Sequence, residues 1–124
     1  MSNEDDPLLF LVISKFRKAI IGCAKELWDK KIIAYHQEIV GQEELVKDVL
    51  SFPDVVTEDV DREDRFCFYG YDGYLTSRVP HVKVVVEWYA DPERDWEVIT
   101  AYETPRLKRG EKVLYRASGR RGRR

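Results

Sequence analysis

The stretch HVKVVVEWYADPERDWEVITAYET, His81 to Thr104, sets the tightest limit on what this chain can fold into. Two runs rich in Val, Trp, Tyr and Ile flank an Asp-Pro-Glu-Arg-Asp turn, and those residue types suit a pleated, half-buried surface, so the segment reads as a β-hairpin. With Ala90 paired to Asp95, Val85 falls opposite Thr100 and Lys83 opposite Tyr102. Side chains alternate between faces. Val82, Val84, Val86, Trp88, Ile99 and Ala101 then share one side. Lys83, Val85, Glu87, Tyr89, Trp96, Val98, Thr100 and Tyr102 share the other. The first side is apolar and needs cover; the second is amphipathic, with a cation and hydroxyls toward the end away from the turn. A one-residue slip would exchange the faces.

The upstream half supplies the cover. From Ala24 to Val40, Ala24, Leu27, Trp28, Ile32, Tyr35 and Ile39 recur at three- and four-residue spacings, the apolar stripe of a helix that Gly41 ends. A second helix is expected from Gln42 to Ser51, with Glu43 and Glu44 in its first turn, Leu45, Val46, Val49 and Leu50 facing inward, and Pro53 preventing continuation. Residues 7–21 are apolar but alternate too weakly to separate a strand from a short helix. Asp54 to Arg65 reads as a strand fragment or edge plus an exposed acidic turn. Further strands are expected over Arg65 to Tyr71 and Lys112 to Tyr115. Helices first and strands second predict an α+β domain, N-terminal helices packed on one face of a C-terminal antiparallel sheet of about four strands. Residues 1–6 read as a disordered acidic terminus, 7–115 as one domain and 116–124 as a flexible Arg-rich tail.

At 124 residues, with three Trp, seven Tyr and five Phe, the chain has enough apolar mass for a core without disulfides or metals. Cys23 and Cys67 make no disulfide framework and show no metal-ligand spacing, which reads as two free thiols in a reducing compartment. Acids rather than cations precede the short apolar run Leu8 to Ile13, no segment is long enough to span a membrane, and the expected location is cytoplasmic. The net charge of −2 conceals an asymmetry: five of the 21 cations are arginines in the last nine residues, and the remaining 16 face 23 acids. An acidic body argues against general nucleic-acid affinity, and the arginine tail is where phosphate neutralisation would come from. Gly70-Tyr71-Asp72-Gly73 lacks the spacing of a phosphate loop. Asp59, Asp61, Glu63 and Asp64 lack the spacing of a calcium loop and read as a solvated turn. No cofactor or metal is expected.

A sheet face carrying a cation, hydroxyls and flat rings is the kind of surface RNA recognition uses, although aromatic residues equally serve to cover a sheet. The segment WDKKIIAYHQEIVGQEELVKDVLSFPD, Trp28 to Asp54, resembles the helical half of the phage-associated barnase–EndoU–colicin–RelE-like nucleases: a Trp, then His36-Gln37-Glu38-Ile39, a second helix, and Pro53-Asp54. The run KVVVEWYADPERDWEVITAYETPRLKRGE resembles that family's paired strands ending in Thr-Ala-Tyr. Gln37 departs from the pattern, which commonly has Pro there. The resemblance implies a metal-independent, toxin-type endoribonuclease, with His36, Thr100 and Tyr102 at the matching positions. His titrates near neutral pH and fits a proton-transfer role, so His36 is the candidate acid–base residue. Lys83, Arg78 or Arg106 would stabilise developing phosphate charge, Thr100 would hydrogen-bond a phosphate oxygen, and Tyr102 would stack a base or donate a proton. The plain alternative for His36 is a half-buried core residue, and for Arg78 and Arg106 solvated loop charges. The competing function is a non-catalytic binding or regulatory module of the same fold. Partners in view are RNA, an antitoxin or other protein, and a second copy joined through Leu8 to Ile13, the chain being a monomer or homodimer.

Overall fold

The hairpin lies at the centre of the molecule. The structure, a computed structural model, describes residues 7–71 and 81–117. Within them the strands are β1 (Leu8–Ile13), β2 (Ile20–Ala24), β3 (Val55–Glu58), β4 (Arg65–Tyr71), β5 (His81–Asp91), β6 (Arg94–Thr104) and β7 (Lys112–Arg116). They form one seven-stranded sheet in the order β1-β2-β6-β5-β4-β3-β7. Neighbours are antiparallel except β2 and β6, which run parallel through Ile21↔Trp96 and Gly22↔Glu97. This corrects the expected architecture: the chain is a mixed seven-stranded sheet with two short helical segments, not helices over about four antiparallel strands. The missing strands have physical reasons. β1 and β2 are joined by a tight turn in which Ala19 N–H donates to the Phe16 carbonyl and both central residues, Arg17 and Lys18, have positive φ (61° and 55°). Such a turn usually advertises itself with Gly or Asn, and here it does not. β3 is no edge, because β4 pairs with it on one side and β7 on the other.

The first helical segment, residues 25–35, differs from the expected Ala24-to-Val40 helix. A π turn at Trp28–Ile32 interrupts it, burying Trp28 and Ile32. That wider turn shifts the phase of the next residues, so Tyr35, expected on the buried stripe, is 78% exposed. The helix ends at His36 (φ −133°), and a 3-10 turn, Gln37–Ile39, returns Ile39 to the core. Gly41, with φ 79°, turns the chain into the second helix, Glu43–Ser51, which buries Val46, Val49 and Leu50. It approaches β4 so closely that a Cβ on Gly70 would lie 2.5 Å from Val49 Cγ2.

Hairpin pairing agrees with the expected register from Lys83↔Tyr102 to Val85↔Thr100, then shifts: Val86 lies opposite Val98, leaving Ile99 as an extra residue in β6. The bulge changes which face each later residue takes. Trp96 and Val98, expected on the open face, join Val82, Val84, Val86 and Ala101 in the main core, while Ile99 packs with Cys67, Tyr69 and Val85 on the other side. Phe16 anchors that main core, its ring lying about 6 Å from Phe66, Phe68, Trp96 and Tyr115. No helix among the described residues is long and apolar enough to cross a membrane.

Candidate functional site

Topology builds the site on the second face of the sheet. β6 is the third strand from one edge and β7 is the opposite edge, so the connection at residues 105–111 must cross β5, β4 and β3. It lies over their second face. Leu107 packs against Cys67, Tyr69 and Val85, and Lys108 N–H donates to Tyr69 Oη (3.3 Å). At its end Glu111 turns inward. One carboxylate oxygen accepts from Thr57 Oγ1 (2.7 Å) and Tyr69 Oη (2.6 Å), and the other accepts from Lys83 Nζ (2.7 Å).

The Lys83 and Glu111 side chains are 5% and 0% exposed, so this ion pair sits inside the protein. Burial pulls the lysine pKa down, but the Glu111 carboxylate and the Tyr69 oxygen outweigh it and hold the pKa above lysine's ordinary value. Burial likewise opposes ionisation of Glu111, and the bonds from Lys83, Tyr69 and Thr57 overcome it, leaving its carboxyl below the usual range. Burial, then the bond to Glu111, keeps the Tyr69 phenol protonated well past its ordinary range. Lys83 is therefore a permanently charged group neutralised by its partner, and it serves to anchor the crossing loop.

Beside this anchor is a pocket of about 340 Å³ lined by Lys83, Tyr102, Thr104, Pro105, Arg106, Leu107, Lys108 and Arg109. Arg106, Lys108 and Arg109 are exposed. Lys108 has Asp61 at 3.9 Å, an open surface contact that leaves its charge available. His36 meets Tyr102 from the other half of the chain. Where β2 has parted from β6, the 36–40 segment runs along the exposed flank of β6, and Glu103 N–H donates to Glu38 Oε2 (3.2 Å). The His36 ring stacks on Tyr102, centroids 5.1 Å apart at 26°. Its Nδ1 lies 3.9 Å from Glu38 Oε2, and its side chain is 32% exposed, accessible rather than sealed in the core.

Of the residues singled out in the sequence, Tyr102, Lys83 and Arg106 line one pocket; His36 is not in its lining and is joined to it through the stack on Tyr102. Thr100 is on the same face, opposite Val85, but does not line the pocket. Arg78 lies outside the described residues, as does the arginine tail beyond Ala117. Glu111, Tyr69 and Thr57 escaped the sequence reading, and Glu38 entered it only as a member of the His36-Gln37-Glu38-Ile39 motif. The one signal for Glu111 was Lys83 itself, a cation within a run of valines that demands a counter-ion. His81 is half-buried, and burial lowers its pKa; its ring meets Tyr69 edge-on at 6.4 Å.

Other chemistries find less support. Burial pushes the Cys23 and Cys67 thiols up to about 12, so neither is a thiolate nucleophile at neutral pH. In the acidic turn Asp59 Oδ2 accepts from the backbone of Asp61 and Arg62, and Arg62 pairs with Asp64. A larger cleft of about 470 Å³ lies between Leu27, Lys30 and Lys31 and the turn end of the hairpin; its Glu87 and Glu97 pair with Arg65 and Arg94, its Lys30 contacts Glu26 at the surface, and its Lys31 is exposed. No family model, curated protein or solved structure matches the chain.

Proposed function

We propose that this chain is a metal-independent endoribonuclease-like domain that binds RNA at the Tyr102 pocket and cleaves it with His36 as the acid–base residue. The observation that supports this reading is the accessible His36 imidazole stacked on Tyr102, a residue that lines a pocket bordered by Arg106, Lys108 and Arg109. Phosphate bound between the three cations brings its ribose 2′-hydroxyl toward the imidazole. His36 takes that proton, O2′ attacks phosphorus, and the P–O5′ bond breaks with proton return to the leaving oxygen. The products are a 2′,3′-cyclic phosphate and a 5′-hydroxyl. The three cations offset the charge on the crowded phosphorus. Incubation of the purified chain with RNA in EDTA tests this. Cleavage with cyclic phosphate ends is expected, falling about 10²–10⁴-fold in His36→Ala; cleavage that survives that substitution removes His36 from the mechanism.

One observation favours a second reading. Lys83, the sheet cation closest to Tyr102, is neutralised by Glu111 and adds no free charge for a transition state. A non-catalytic module that docks a polyanionic segment on Arg106, Lys108 and Arg109 needs no such charge. Salt-sensitive RNA binding without cleavage would support it over the enzyme.

A further inference from the structure

The two edges of the sheet are not alike. β7 begins with Lys112 and ends with Arg116, charges of the kind that discourage another chain from adding to an edge. β1 has no such protection. Its sequence, LLFLVI, contains no charge and no proline, and among the described residues only β2 pairs with it. Leu11 is 51% exposed and Ile13 66%. Ser14 N–H donates to the Ala19 carbonyl at the β1–β2 turn (2.8 Å), and strand backbones alternate. Val12 therefore also faces β2, while the N–H and C=O groups of Leu11 and Ile13 point outward, with no strand among the described residues to receive them. The same two residues present both the open backbone groups and the exposed apolar side chains.

The flanking charges select the occupant and its direction. Glu4, Asp5 and Asp6 precede β1 in the sequence, and Lys15, Arg17 and Lys18 follow it; the three cations are exposed. A second copy laid antiparallel sets the acid-flanked end of one strand beside the cation-flanked end of the other. Parallel pairing would set like against like, and an unrelated apolar strand would gain nothing from the pattern. We propose that two copies of the chain pair antiparallel through β1 about a two-fold axis at Val12, with Leu11 of each opposite Ile13 of the other, joining two sheets into one. Such an axis lets both outward-facing residues exchange backbone hydrogen bonds and covers their side chains with each other. The strand is short, so the dimer is weak and concentration-dependent.

Sedimentation equilibrium of the full chain from micromolar to several hundred micromolar tests it. The mass is expected to rise toward twice that of one chain, and Leu11→Lys with Ile13→Lys is expected to hold it at one chain with unchanged circular dichroism. A single-chain mass for the unsubstituted protein at every concentration, or a dimer that survives the two lysines, overturns the proposal. Oxidative cross-linking tests the register. Leu11→Cys mixed with Ile13→Cys is expected to form a disulfide between the two, since directly opposed strand residues lie within disulfide reach. Leu11→Cys linking to itself in preference overturns the axis at Val12. Buried Cys23 and Cys67 stay silent in that experiment.

Discussion

Replacing Glu111 with Gln removes one charge at nearly constant volume, from a side chain with no exposed surface. The glutamate accepts three bonds of 2.6–2.7 Å, two on one oxygen from Thr57 and Tyr69 and one on the other from Lys83. Glutamine keeps one acceptor. If its carbonyl stays with Thr57 and Tyr69, its amide donors confront the Lys83 ammonium, and the reverse orientation sets them against two hydroxyls. Either way a lysine only 5% exposed loses its counter-ion. Breaking one side of a buried pair costs about 3–5 kcal/mol. For a domain of this size that is a loss of roughly 10–20 °C in Tm, and a large part of a total stability of about 5–15 kcal/mol. Urea unfolding at pH 7, followed by circular dichroism, measures it for Glu111→Gln, Lys83→Met and the double variant. The double variant is expected to be more stable than Glu111→Gln alone, because the orphaned charge is gone. A Glu111→Gln cost under about 1 kcal/mol, or costs that simply add in the double variant, would show that the two side chains are not coupled as an ion pair.

The same packing predicts three further outcomes. Gly70→Ala is expected to cost about 1–3 kcal/mol in thermal unfolding, because its methyl meets the stiff Val49 side chain at 2.5 Å, and Val49→Ala in the same chain should recover part of the loss. Stability should fall with acid in two windows, read as urea midpoints against pH. His81, held below 6.5, contributes stability that is present above that value and lost as pH falls through its folded pKa; Glu111, held below 4.5, contributes stability that is present above 4.5 and lost as pH falls further. His81→Gln should abolish the first window and leave the second. Both cysteines, with thiols pushed up to about 12, should resist alkylation at pH 8 in the native protein and react promptly in urea; rapid labelling of the folded chain would contradict their burial.

Much of the hairpin was legible because a run such as VKVVVEW suits little besides a strand, and its register was readable as far as Val85↔Thr100. The bulge at Ile99 was not, since isoleucine is an ordinary strand residue and nothing local marks it as extra. The second helix carried its own punctuation in Gly41, two early glutamates and Pro53. The π turn at Trp28–Ile32 broke the period on which the first helix was read, and so misplaced Tyr35. β1 and β2 were illegible for want of a glycine in their turn. At the candidate site, His36 and Tyr102 were singled out from a resemblance and a strand face, but their stacking depends on β2 parting from β6 beyond Gly22↔Glu97. Glu111 lies 28 residues from Lys83 and looks like one charge among several in a turn. Only the crossing of the 105–111 connection, a property of strand order, brings it beneath the sheet cation.

The proposed nucleic-acid surface is most directly tested by an NMR titration of the ¹⁵N-labelled chain with a 2′-deoxy oligonucleotide, which offers phosphate and bases but lacks the attacking hydroxyl. Shifts are expected to concentrate on the His36 and Tyr102 signals and on the backbone of residues 104–109. Shifts centred on the larger cleft beside Leu27 and Lys31, or no saturable shift at low salt, would contradict the assignment of the Tyr102 pocket to RNA.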